Sequence, residues 1–121
     1  MDRHCPIFDR AMPVLLDELE ERGLLETTLV VIMGEFGRTP KINDRAARDH
    51  WPQCYFSIWT GAGLQRGRII GESDKLGEHP ITTAYTPLMV GTTIAELAGV
   101  STEARAEMNV LDGGRVMEEL I

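Results

Sequence analysis

Three side chains that suit a metal site lie in one stretch of the sequence. Glu35 follows the apolar run Leu29–Met33, and Asp49 and His50 come after a polar loop. Carboxylate oxygens and an imidazole nitrogen together suit divalent zinc, manganese or iron, with calcium as a further candidate. Such a metal polarises an ester oxygen or lowers the pKa of a bound water. We therefore predict Glu35 and His50 as metal ligands, and Asp49 as a further ligand or the acceptor that orients one.

Arg38 adds a cation to the same stretch, shortly after Glu35. A guanidinium grips a phosphate or a similar oxyanion through two parallel hydrogen bonds, so Arg38 is predicted to bind an anionic substrate group. The purely structural alternative is an ion pair of Arg38 with Glu35 or Asp44. The sequence contains no GxSxG, P-loop or HExxH motif, and neither Thr39 nor Ser57 has a credible base beside it. No nucleophile is therefore assigned.

The element that must position these groups is the run Leu29–Met33. A continuous apolar, β-branched run is typical of a strand with both faces covered, as in a parallel sheet between helices. In an open α/β sheet, ligands bind beyond the carboxyl ends of the strands, which is where Glu35 lies. The run therefore predicts a buried strand that ends at a ligand site.

The remaining patterns predict two helices and two further strands. These are a helix over 7–22 closed by Gly23, a buried strand over 55–59, a short edge strand over 67–71, and a helix that starts after the N-cap Thr86 and stops at Gly99. Two good strands cannot build a sheet with both faces covered. We therefore expect part of a larger α/β domain, or a domain that needs a partner.

Composition excludes several classes of partner. The 121 residues carry 19 acidic and 12 basic side chains, a net charge of −7, without a dense basic cluster, so neither nucleic acid nor an anionic membrane is expected. No apolar run approaches the roughly 18 residues of a membrane span. Cys5 and Cys54 lack metal-ligand spacing and are expected to be buried thiols, with a disulfide left open.

Two long motifs, Gly34–Pro40 and Arg48–Pro52, carry a family resemblance. With their flanking sequence from about Pro6 to the tail, they resemble the C-terminal part of a bacterial sulfatase-like family, domain of unknown function 1501. That family is similar to the alkaline phosphatase superfamily, which includes sulfatases. The resemblance implies an α/β fold, the C-terminal part of an alkaline-phosphatase-like α/β/α sandwich with a mostly parallel sheet and divalent metals at its carboxyl edge.

The resemblance also shows departures from the superfamily pattern. Superfamily members end an apolar strand in Asp-His-Gly, whose acid and histidine bind metal, and add a later histidine. Here Glu35–Gly37 stands in that place with Phe36 in the middle, which cannot coordinate, and His50 is the candidate for the later ligand. One metal, two metals with altered ligands, and no metal all stay open. Asp2-x-His4 resembles an upstream family motif but lies too close to the first helix to align with it.

The superfamily's nucleophile lies in N-terminal segments that residues 1–121 do not include. We therefore expect a single partial domain without its nucleophile half. Its expected function is the C-terminal portion of a metal-dependent hydrolase of sulfate or phosphate esters, inactive alone, with a small anionic ester as substrate. The alternatives are a non-catalytic sulfatase-like binding module and a truncated remnant with a degenerate metal site, and Phe36 favours the former.

Exposed sheet edges would let the chain self-associate. The N-terminus shows no signal peptide although full-length relatives often carry one, so no compartment is predicted.

Overall fold

The computed structural model describes residues 4–121, so Asp2 of the Asp2-x-His4 motif lies outside the described residues. In chain order its elements are α1 (Cys5–Glu21), β1 (Leu29–Met33), β2 (Gly37–Arg38), β3 (His50–Trp51), β4 (Ser57–Gly61), α2 (Pro87–Leu97) and α3 (Thr102–Glu107). Within the described part of the chain, no helix is both long and apolar enough to span a bilayer.

The four strands form one long hairpin with a smaller hairpin inside it. β1 pairs antiparallel with β4, so that Leu29 lies opposite Gly61 and Met33 opposite Ser57. β2 pairs antiparallel with β3 in the segment between them. The predicted α/β/α sandwich with a mostly parallel sheet is therefore wrong, because both sheets of the described residues are two-stranded and antiparallel.

The strand pattern misled because a continuous apolar run does not reveal how the strand is paired. β1 has the predicted bounds, but its side chains are half-buried and Met33 is exposed. The second strand lies two residues later than predicted, at Ser57–Gly61. The predicted edge strand over 67–71 is also wrong: Gly67 and Gly71 both have left-handed backbone angles, and Ile69 between them is 96% exposed.

Helix α1 lies where the periodicity predicts it, and Gly23 follows its C-cap with a φ of 66°. Pro13 lies inside the helix, where it has no backbone N–H to donate to the preceding turn. None of the α1 side chains is buried. The helix therefore presents apolar residues to solvent, among them Ile7 and Val14.

Helix α2 is organised by buried threonines. Thr86 caps it by accepting a hydrogen bond from the Met89 amide, with Pro87 at the first helical position, as predicted. Thr93 is fully buried; its hydroxyl donates to the Met89 carbonyl at 2.8 Å and accepts from the Met117 amide at 2.9 Å. The hydroxyl therefore ties the C-terminal tail to α2.

Helix α3 is a short element that the sequence analysis did not predict. Ser101 caps it by accepting from the Ala104 amide at 3.2 Å. Arg105 is buried and donates to Glu96 Oε2 at 3.0 Å, to the Val100 carbonyl at 2.8 Å and to the Thr102 hydroxyl at 3.0 Å. These contacts fix α3 against the end of α2.

The apolar core of the described residues is small. Its buried hydrophobic side chains are Leu25, Val90 and Met117. Cys5 is exposed and Cys54 is half-buried, and no disulfide joins them. The expectation that both are buried thiols is therefore wrong, because α1 and the hairpin lack the covering layers that the parallel-sheet prediction supplied.

Candidate functional site

The four predicted site residues lie on the inner hairpin and its flanking turns. Glu35 lies in the bend between β1 and β2, and Arg38 ends β2. Asp49 immediately precedes β3, which begins at His50. All four side chains are exposed. The structure thus gathers them on one surface feature rather than in a closed cleft.

Phe36, Arg38 and His50 form a contiguous group, called here the hairpin cluster. Arg38 and His50 are directly opposite each other across the β2–β3 pair, a position in which side chains project to the same face. The ring centroids of Phe36 and His50 are 4.0 Å apart at 37°, and Arg38 Cζ lies 5.4 Å from the Phe36 centroid. Aromatic and cation–π contacts therefore hold the three side chains together.

Phe36 has a structural role at the candidate site that the sequence does not predict. It cannot coordinate a metal, but it is the half-buried side chain that both Arg38 and His50 contact. The signal that could have found it is strand alternation, since residues 36 and 38 share one face of an extended chain. That signal was hidden because β2 is only two residues long.

Gly37 explains how the backbone of β2 comes so close to that of the segment over 51–54. A Cβ at this position would lie 2.0 Å from the Cys54 carbonyl oxygen and 2.8 Å from the Trp51 carbonyl oxygen. Only glycine admits that approach of backbone to backbone. Gly37 thus allows β2 and β3 to pair and so places Arg38 beside His50.

Asp49 is held by the loop that precedes it. Its Oδ1 accepts a hydrogen bond from Asn43 Nδ2 at 3.0 Å, and its amide donates to the Thr39 hydroxyl at 3.0 Å. Arg48 closes the same loop by donating to the Thr39 carbonyl at 2.7 Å and to the Pro40 carbonyl. Asp49 thus has a structural partner, Asn43, that sequence reasoning did not identify.

Arg38 forms no ion pair with any acidic side chain within the described residues. The ion pairs formed within residues 4–121 join Glu18 to Arg22, Glu20 to Arg66 and Glu96 to Arg105. The alternative in which Arg38 pairs with Glu35 or Asp44 is therefore not what the structure shows. The guanidinium remains exposed beside the His50 ring.

The positions of the side chains bear on the predicted metal site. Across the described range 4–121, no group of three or more His, Cys, Asp or Glu side chains is arranged to hold a metal ion. Asp49 is engaged by Asn43, and the His50 ring lies against Phe36. The described residues therefore do not bring Glu35, Asp49 and His50 together into such a group, and their role as metal ligands stays a prediction.

Trp51, the residue after His50, connects the inner hairpin to the turn formed by residues 73–80. Its Nε1 donates to the Glu78 carbonyl at 2.7 Å, and its ring centroid lies 5.9 Å from that of His79. Asp74 holds this turn by accepting backbone hydrogen bonds from Leu76, Glu78 and His79. The hydrogen bond from the Glu78 amide has the largest effect on the Asp74 carboxyl. Burial opposes it, and the amides of Leu76, His79 and Gly77 act with it, so the pKa of Asp74 lies below its usual 3.8.

Comparison with known proteins gives one match. A family model described as "Protein of unknown function (DUF1501)" covers residues 1–121. The searches of curated proteins and of solved structures return no match to this chain.

Proposed function

The chain belongs to the DUF1501 family, and from this premise we propose that its hairpin cluster binds the anionic group of a small sulfate or phosphate ester. The observation that carries the proposal is the side-by-side placement of Arg38 and His50, exposed and without an acidic partner within residues 4–121. Guanidinium and imidazole N–H groups on one face can donate together to a tetrahedral oxyanion.

The cluster is held in place before any ligand arrives. Phe36 supports both the Arg38 guanidinium and the His50 ring, and Gly37 fixes the register that sets them opposite each other. A guanidinium that already lies on a ring loses less side-chain freedom when it binds an anion. This arrangement favours binding even though the chain as a whole carries a charge of −7.

We further propose that the chain is a partial, sulfatase-like domain and contributes to a hydrolase only together with another polypeptide segment. Glu35, Asp49 and His50 would supply some of the ligands to a divalent metal, zinc, manganese, iron or calcium. A bound metal would supply Lewis-acid activation of the ester oxygen. The donors that complete the site, and the nucleophile, would come from that other segment. Turnover by residues 1–121 alone is not expected.

Titration with inorganic sulfate and inorganic phosphate, followed by NMR of backbone and arginine side-chain N–H groups, tests the anion site. We expect shifts at the Arg38 Nε–H and at the amides of β2 and β3. Arg38→Ala should weaken binding about 10-fold or more, because a charge-assisted hydrogen bond contributes about 1.5–3 kcal/mol. Arg68→Ala, another exposed arginine, is the matched control and should leave binding unchanged. Shifts that survive Arg38→Ala would refute the site.

A non-catalytic binding module is the second candidate, and the use of Phe36 as a support for His50 favours it. Metal analysis of this chain purified together with the segment that completes the domain separates the candidates. Stoichiometric zinc, manganese or iron that disappears in Glu35→Ala and His50→Ala supports a metal centre. A metal-free protein whose stability is unchanged in both variants, and which still binds sulfate through Arg38, supports the binding module.

A further inference from the structure

Strand β1 has a hydrogen-bonding edge that no strand of residues 4–121 occupies. It pairs with β4 on one side, and its remaining backbone groups take part in none of the turn or loop hydrogen bonds formed by the described chain. Sheet edges are normally protected by charged residues, proline or bulges. Leu29–Met33 contains no charge, no proline and no glycine, so this edge is unprotected.

The total surface of the chain is larger than that of a compact monomer of the same mass. The chain exposes 9295 Å², whereas a folded monomer of 13.5 kDa exposes roughly 6,500 Å². A standard protein interface removes about 800 Å² from each partner. The excess exceeds that amount severalfold, so an interface of ordinary size is available. Met33, the last residue of β1, is itself an exposed apolar side chain of this strand.

We propose that β1 pairs with β1 of a second copy of this chain, antiparallel and about a two-fold axis at Val31. In this register Val31 faces the partner's Val31, and Val30 faces the partner's Ile32. Each opposed pair is apolar, and β-branched residues opposite one another stabilise antiparallel strands. The strand is therefore complementary to itself under the symmetry that dimers most often adopt.

Pairing at β1 would also complete the sheet. A two-stranded ribbon is marginally stable in water, whereas three or more strands with an apolar face can be stable. The dimer forms a four-stranded sheet in the order β4, β1, partner β1, partner β4. The outer strands carry Ser57 and Thr60, so the new edges are more polar than the buried ones. The inference is independent of the anion site, because no residue of the hairpin cluster belongs to β1.

Cysteine cross-linking tests the register directly, in a chain that also carries Cys5→Ser and Cys54→Ser. Light scattering on a sizing column should give twice the 13.5 kDa of one chain. Val31→Cys should oxidise to a covalent dimer on a non-reducing gel. Val30→Cys alone should not, but a mixture of Val30→Cys with Ile32→Cys should. A covalent dimer from Val30→Cys alone would overturn the register.

Charge repulsion gives a second test that does not need a disulfide. Val31→Lys places like charges opposite each other on the axis and should raise the dimer dissociation constant about 10-fold or more. Thr60→Lys, at a half-buried position of the outer strand β4, should leave the dimer intact. If Val31→Lys fails to fold, the Val31→Cys cross-link decides.

Three other outcomes would refute the pairing. One is a monomer at about 100 μM, as expected if the edge is reserved for a different polypeptide. Another is an open-ended aggregate. The third is a dimer that is dissociated by Val14→Lys, on the apolar face of α1, while Val31→Cys does not cross-link. That result would place the interface on α1, whose exposed apolar face carries Ile7, Ala11, Val14 and Leu15. None of these outcomes bears on sulfate binding at Arg38.

Discussion

The C-terminal segment from Thr86 to the tail and the long hairpin β1–β4 differ in where their polar and apolar groups lie. In the former, Thr93 and Arg105 are buried and hydrogen-bonded within the segment. In the latter, Arg38 and His50 face solvent and the apolar strand β1 is only half-buried. A segment that satisfies its own polar groups is built for stability. A segment that leaves charges and an apolar edge exposed is suited to binding.

The hairpin should be most sensitive to substitution at Gly37, where the backbone of β2 closely approaches that of the residues it faces. Gly37→Ala is expected to destabilise the β2–β3 pair by about 3 kcal/mol, because the new Cβ meets backbone oxygens that cannot move aside. Gly34→Ala, in the adjacent turn, is the control; its Cβ would lie 3.6 Å from the nearest atom. Hydrogen exchange of the β2 and β3 amides measures the effect. Equal exchange in the two variants would contradict it.

The C-terminal segment should be most sensitive at its buried cation. Arg105→Ala removes the partner of Glu96 and leaves the Val100 carbonyl and the Thr102 hydroxyl without their donor. We expect a loss of about 2 kcal/mol, below the value for a fully buried pair because Glu96 is half-exposed. Thermal unfolding of this variant and of the exposed control Arg115→Ala checks it. The NMR shifts that sulfate induces at the β2 and β3 amides should persist in both variants.

A smaller effect is expected at Thr93. Thr93→Val preserves shape but leaves the Met117 amide without its acceptor, at a cost of about 1–2 kcal/mol. Thr27→Val, at an exposed turn position, should change the free energy of unfolding by less than about 0.5 kcal/mol. Chemical denaturation measures the free energy of unfolding of each variant and so compares Thr93→Val with Thr27→Val. A stable Thr93→Val would mean that the tail is not held through this hydroxyl.

The smallest effect concerns pH and is confined to the turn beside the hairpin. The folded pKa of Asp74 lies below its usual 3.8, so its stabilisation is present above that pH and is lost as pH falls through the lowered pKa. The Glu78 and His79 amide resonances should therefore move in acid, and Asp74→Asn should abolish that movement. An unchanged acid titration of these amides in the variant would point to another group.

Local signals in the sequence predicted local structure well. Thr86, Pro87 and Gly99 bound α2 because capping, ring geometry and a left-handed φ act within a few residues. Leu29–Met33 is a strand with the predicted ends. Its partner was not predictable from that run, since pairing depends on residues far along the chain. The end of β4 at Gly61 depends on such a contact, the close approach of Gly61 to Leu25 and Thr28.

The candidate site was predicted in its residues but not in its arrangement. Arg38 and His50 were chosen from their chemistry, and only the β2–β3 register shows that they are neighbours. Phe36 and Asn43 were missed because their roles arise from a ring contact and a loop hydrogen bond that spacing does not encode. The metal prediction stays a prediction, because no group of three or more His, Cys, Asp or Glu side chains among the described residues is arranged to hold a metal ion.

The two tryptophans provide built-in optical reporters of different parts of the molecule. The Trp51 indole donates to Glu78, across to the turn over 73–80, whereas the Trp59 indole donates at 2.7 Å to Ser57 within its own strand. Detachment of the turn would move the emission of Trp51 to longer wavelength and leave Trp59 largely unaffected. Single Trp→Phe variants would therefore resolve, by fluorescence alone, whether the turn leaves the hairpin before the strands separate.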